Sequence, residues 1–287
     1  MKKLTTILAI AAMVLAASCN KAEAPVQEEA MTFSVSMPMT KAVTADGSAI
    51  NKVWYGLYKT DGTLVSNYQP VEFKNGSANC QVVMMRGQSY KIVFVAQHDD
   101  DDDATYTITP ETATISMPAA PVANSDNYDL FYVVKEVNNY NGEKTGEVVL
   151  NRGVALVKFN CSDADWQNAT ALESEPTHSS VTLKGVPTSF NLLSATYGTE
   201  AADVTYTKSE IHAEKFVAAA YCFVPDNTIT AEINLYKGES LVSSLSVENV
   251  PVESNKQTNI SGSIMTGTVD FTISITSGSE SLDNVEL

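Results

Sequence analysis

The chain has 287 residues, with 34 acidic against 18 basic side chains and a net charge of −16. So acidic a surface repels phosphate-bearing polymers and anionic headgroups. Its only two arginines, Arg86 and Arg152, do not make a phosphate-gripping cluster. Nucleic acid is therefore excluded as a partner, and the length suits two domains of ordinary size.

In chain order, Lys2 and Lys3 precede an apolar run from Ile7 to Ala17 that ends in Leu15-Ala16-Ala17-Ser18-Cys19. A charged start, an apolar centre too short to span a bilayer and small residues before a break predict a secretory signal peptide over residues 1–18, cut between Ser18 and Cys19. A cysteine directly after the small residues resembles a bacterial lipobox, which makes Cys19 the predicted site of lipid attachment. The acyl anchor would place the protein at the bacterial outer membrane and cell surface, each buried methylene contributing about 0.8 kcal/mol. Residues 19–30 are polar and acidic with a proline, and read as a flexible tether.

From Met31 onward the period is two. Phe33, Val35 and Met37 alternate with Ser34 and Ser36, and segments such as Gln81–Met85, Tyr90–Ala96, Val154–Phe159 and Thr230–Tyr236 are rich in β-branched and aromatic residues. Asp61-Gly62, Asn75-Gly76, Asn141-Gly142 and Lys237-Gly238 mark turns between them. One short helix is predicted over Asp163–Leu172, where Ser162 or Asp163 caps a face holding Trp166 and Ala169. The pattern predicts an all-β, mostly antiparallel fold of two sandwiches. A polar seam near Asn138–Asn151 divides it into residues 31–150 and 151–287.

No residue pattern points to catalysis. His98, His178 and His212 lie far apart, and the chain has no Gly-x-Ser-x-Gly, His-Glu-x-x-His or phosphate-cradling glycine loop. The run Asp99-Asp100-Asp101-Asp102-Asp103 lacks the spacing and glycine turn of a calcium loop and reads as a solvated connection. Cys80, Cys161 and Cys222 sit in or beside apolar segments as core-filling thiols, and the spacing does not select a disulfide among them. The reading is a non-enzyme with neither cofactor nor metal.

Near the C-terminus, Val269, Phe271, Ile273 and Ile275 form one face of a strictly alternating strand, mirrored at the other end by Phe33, Val35 and Met37. Such a strand either closes its own sheet or leaves to complete a neighbour's, because main-chain pairing is the same in both cases.

Several ordered motifs then carry a family resemblance: Thr40-Lys41-Ala42, Val53-Trp54-Tyr55-Gly56-Leu57-Tyr58, Val93-Phe94-Val95-Ala96-Gln97, Asp129-Leu130-Phe131-Tyr132, Leu150-Asn151-Arg152-Gly153, Phe190-Asn191-Leu192-Leu193, Tyr221-Cys222-Phe223-Val224-Pro225 and Asn255-Lys256-Gln257-Thr258-Asn259-Ile260. Their order resembles that of the Bacteroidales fimbrillin-like lipoproteins, over most of the chain beyond the leader. The resemblance implies two tandem transthyretin-like β-sandwich domains with Greek-key-type antiparallel sheets. It also implies assembly with other fimbrial subunits, or with itself, by strand exchange in the service of adhesion. The displaced strand would be Thr32–Met37, cut near Lys41 where the family usually carries arginine, and the donor would be Val269–Ile275. An unprocessed anchoring or capping subunit stays open. So does a monomeric surface lipoprotein that binds glycan, with Trp54, Trp166 or Tyr140 as stacking platforms.

Overall fold

The computed structural model describes residues 27–38, 49–100, 103–161, 165, 175–211, 217–265 and 271–277. Among these residues, fifteen strands of five residues or more build the fold. The first seven are β1 (Glu28–Ser36), β2 (Lys52–Lys59), β3 (Leu64–Glu72), β4 (Ser77–Met85), β5 (Tyr90–Gln97), β6 (Leu130–Val137) and β7 (Thr145–Val149). The next seven are β8 (Ala155–Cys161), β9 (His178–Pro187), β10 (Ala201–Glu210), β11 (Ala218–Cys222), β12 (Ile229–Lys237), β13 (Ser240–Val250) and β14 (Lys256–Gly262), and β15 (Phe271–Ser277) follows them.

The alternation of apolar and polar residues fixes which face each strand buries. In β4, Ala78, Cys80, Val82 and Met84 point inward while the residues between them face solvent. One sheet orders its strands β7-β1-β4 and the second β6-β5-β2-β3, and both contribute to one apolar core holding Phe33, Leu57, Ile92, Phe94 and Leu150. The same order returns seven strands later, as β14-β8-β11 against β13-β12-β9-β10 around a core with Phe159, Leu183, Tyr206 and Ile233. Strand directions repeat as well: β1 is antiparallel to β4 and parallel to β7, and β8 is antiparallel to β11 and parallel to β14.

These two parallel pairings are the exceptions in a fold whose other described strand pairings are antiparallel, as the pattern predicts. The first and last strands of each unit enter from the same end, and the intervening strands supply the long crossover that parallel neighbours need. Side-chain alternation is identical for both directions, so the sequence pattern does not distinguish them.

A third core ties the units together, with Tyr58, Val95, Tyr106 and Leu130 from the first and Phe190, Ala219, Tyr221 and Phe223 from the second. Short strands Thr107–Thr109 and Thr114–Ser116 join Ser189–Asn191 and Thr196–Tyr197 in a sheet shared by both units. Buried polar groups add directional contacts. Arg152 Nε and Nη2 each donate to the Asp129 carboxylate at 2.8 Å, and Tyr221 Oη donates to Asp126 Oδ1 at 2.7 Å. Asn124 Nδ2 donates to Glu210 O at 2.9 Å while its Oδ1 accepts from Ala219 N at 2.8 Å. The predicted seam is accordingly no loose linker: Tyr140 is buried in the first core, and β7 occupies part of it. Of the predicted helix, all but Asp165 lies outside the described residues.

Candidate functional site

The residues singled out at the two ends of the chain lie in contrasting settings. β1 is the middle strand of its sheet, paired along its length with β4 from Glu28↔Met85 to Ser36↔Ser77 and with β7 from Thr32↔Thr145 to Ser36↔Val149. Met31, Phe33 and Val35 are fully buried, and the Phe33 ring lies 5.5 Å from that of Phe94. Met37, just past the strand, is half-buried against the same core. Gly146 in β7 makes this packing possible, since a Cβ there would lie 2.8 Å from both Met31 Cε and Phe33 Cε1.

The strand begins at Glu28, so the predicted tether ends earlier than residue 30. The reason is a charge cluster that lets an acidic residue enter the sheet. Glu29, largely buried, accepts from Arg86 Nε at 2.5 Å and pairs with the Lys144 ammonium. These two cations hold its carboxyl down to about 2, well below the usual carboxylate range. Arg86 follows β4 and lies across Gly142, where a Cβ would come within 2.3 Å of its Nη2, and Lys144 immediately precedes β7. Sequence reasoning missed this triad, because its members sit 57 and 115 positions apart. The one signal was the scarcity of arginine, which makes each arginine worth tracing to a carboxylate.

Among the described residues β15 is an edge strand attached only along β14, from Lys256↔Ser277 to Gly262↔Phe271. It has no counterpart among the described residues of the first unit, where the outer edge of β7 carries no described strand. Phe271 packs in part against the second core and Ile275 is half-buried, whereas Ile273 is 38% exposed. The polar face adds side-chain bonds: Thr272 Oγ1 donates to Ser261 O at 3.3 Å and Thr276 Oγ1 to Gln257 O at 3.4 Å. Ser18, Cys19, Lys41 and Val269 lie outside the described residues.

Other predicted positions prove structural. Trp54 is half-buried, its indole N–H donating to Asp99 Oδ2 at 3.0 Å, and Lys52 Nζ lies 3.8 Å from the same carboxylate. Tyr140 donates to Glu143 O at 2.8 Å from within the core, which removes it as a stacking platform. Asp99 and Asp100 pair with Asp103 and Ala104 in a two-stranded turn, and Asp101 and Asp102 lie outside the described residues. Burial pushes the Cys80 and Cys222 thiols up to about 12, and no disulfide joins them to each other or to Cys161.

Comparison with known proteins gives a family and a likeness of fold. The profile of the Family of unknown function (DUF6562) matches residues 22–283. The chain belongs to this family. No curated protein sequence matches it. Among solved structures, a protein of Bacteroides thetaiotaomicron VPI-5482 provisionally described as polysaccharide-binding (DUF1812) is 12% identical, with TM-score 0.54 over 87% of this chain and 99% of its own. Two provisionally described cell adhesion proteins each give TM-score 0.51. That of Bacteroides uniformis ATCC 8492 is 9% identical over 86% of this chain and 97% of its own. That of Bacteroides eggerthii DSM 20697 is 14% identical over 90% of this chain and 97% of its own. At these identities the likeness is one of fold: the DUF6562 chain shares an all-β architecture with them along nearly its full length.

Proposed function

We propose that this DUF6562 protein is a non-enzymatic, lipid-anchored component of adhesive surface fibres, assembled by β-strand exchange between two-sandwich subunits. The sandwiches would be the transthyretin-like domains 31–150 and 151–287, carried to the outer membrane by acylated Cys19. The observation that supports this most directly is β15, which is left over among the longer described strands when the seven-strand order has been counted twice. It is held along a single edge with Ile273 exposed on its apolar face, and so is the element most readily lent to a neighbour. In the proposed cycle a cut near Lys41 releases β1, a partner's strand fills the groove between β4 and β7, and β15 serves as the outgoing donor.

The test is made in the producing bacterium with a chain lacking residues 266–287. The shortened protein is expected to reach the cell surface and to vanish from high-molecular-weight assemblies on gels. Its undiminished presence in those assemblies would overturn the proposal. Loss of labelled palmitate from a Cys19→Ala variant tests the anchor separately. Monomeric glycan binding is the second reading. One fold relative's polysaccharide-binding name favours it, but the burial of Tyr140 and the Trp54–Asp99 bond leave it little aromatic surface in the described residues.

A further inference from the structure

The groove that holds β1 is lined differently along its length. Three inward positions accept the apolar side chains of Met31, Phe33 and Val35, and two positions before Met31 the same face meets the Arg86 guanidinium and the Lys144 ammonium. Both cations belong to the flanking elements, not to β1. Arg86 is seated over Gly142 at the end of β4, and Lys144, whose carbonyl accepts from Thr32 N at 2.9 Å, opens β7. They therefore stay in place when β1 departs, and the empty groove would present a basic end followed by three apolar positions.

This chain's own donor strand does not fit that order. With Phe271, Ile273 and Ile275 in the three apolar positions, Val269 meets the cations, and with the strand reversed Ser277 does. Shifting the register to Val269, Phe271 and Ile273 brings Gly267, or Ile275 on reversal. None of these four is acidic. Resting on the strand-exchange reading above, we propose that the β1 groove selects its occupant by charge. The strand it takes is one of another protein carrying Asp or Glu two residues before three alternating apolar side chains, in preference to β15 of a second copy. Glu29 is the native form of this key. Subunits of this kind would then be joined in a set order, since β15 is lent to a groove other than the one its own chain offers.

The experiment uses the full chain nicked at Lys41 with β1 still seated, and measures displacement of β1 by fluorescent peptides at 37 °C. Four peptides are compared: residues 28–37 as they stand, the same with Glu29→Gln, residues 269–277, and that last with Val269→Glu. A charge-assisted hydrogen bond between a buried carboxylate and half-exposed cations corresponds to roughly a several-fold to tenfold change in affinity. The Glu29→Gln peptide is expected to bind about five- to tenfold more weakly than the native one, and Val269→Glu to strengthen the 269–277 peptide by a similar factor. Both differences should disappear on an Arg86→Met, Lys144→Met acceptor. Equal binding of the native and Glu29→Gln peptides would overturn charge selection while leaving strand exchange standing. Failure of every peptide to enter, the native one included, would overturn strand exchange at this groove and the selection with it.

Discussion

β1 and β15 carry the same alternation of apolar and polar residues, yet one is the most enclosed strand of its sheet and the other the most exposed. The difference lies in neighbours, not in the strands themselves. β1 has a strand on each side, a sheet beneath it and two cations on Glu29, whereas β15 has β14 on one side and no described strand on the other. Apolar period in a strand therefore sets which face is buried, while position in the sheet order sets how firmly it is held.

The comparison is broken most severely from the β1 side. Phe33→Ala removes a fully buried ring and is expected to cost roughly 3 to 5 kcal/mol of unfolding free energy in a denaturant titration. Gly146→Ala adds a single methyl where Met31 and Phe33 already crowd, and a loss of roughly 1 to 3 kcal/mol is expected. On the β15 side, Ile273→Ala trims a side chain that is 38% exposed, so its cost should stay at about 1 kcal/mol or below. An Ile273 effect equal to that of Phe33 would show that β15 is as integral as β1.

Acid titration sharpens the contrast further. Glu29 has its carboxyl lowered from 4.5 to about 2 in the fold, so its contribution is complete above the unfolded value and lost as pH falls through the folded one. Glu29→Gln should thus lower the denaturation midpoint by a constant amount above about pH 5 and by progressively less towards about pH 2. A gap that stays constant to the acid end would mean that the carboxylate is not what the cations hold.

Much of this arrangement was legible in the residues. The segments Gln81–Met85 and Thr230–Tyr236, rich in β-branched and aromatic residues, return inside the strands Ser77–Met85 and Ile229–Lys237, and Asp61-Gly62, Asn75-Gly76 and Lys237-Gly238 do turn the chain between consecutive strands. What was hidden has a common cause: it depends on groups far apart in sequence. The parallel pairing of β1 with β7, the cation pair around Glu29 and the entry of Tyr140 into a core all arise when distant segments meet. Asn141-Gly142 illustrates the limit. Its residues predict a turn, which the positive φ of Gly142 supports, but nothing in the neighbouring sequence signals the close approach of Arg86.

The direction of β1 bears on how the molecule would respond to being pulled. Tension on the chain ahead of Glu28 runs along the strand axis, across hydrogen bonds that lie perpendicular to it on the β4 side and slanted on the β7 side. All of them would then resist sliding together rather than opening one after another like a zip. Beyond the strand, the Arg152–Asp129 pair and the shared core hand the strain on to the second unit without an obvious hinge. A body wired in this way is suited to remain folded while something tugs at its ends.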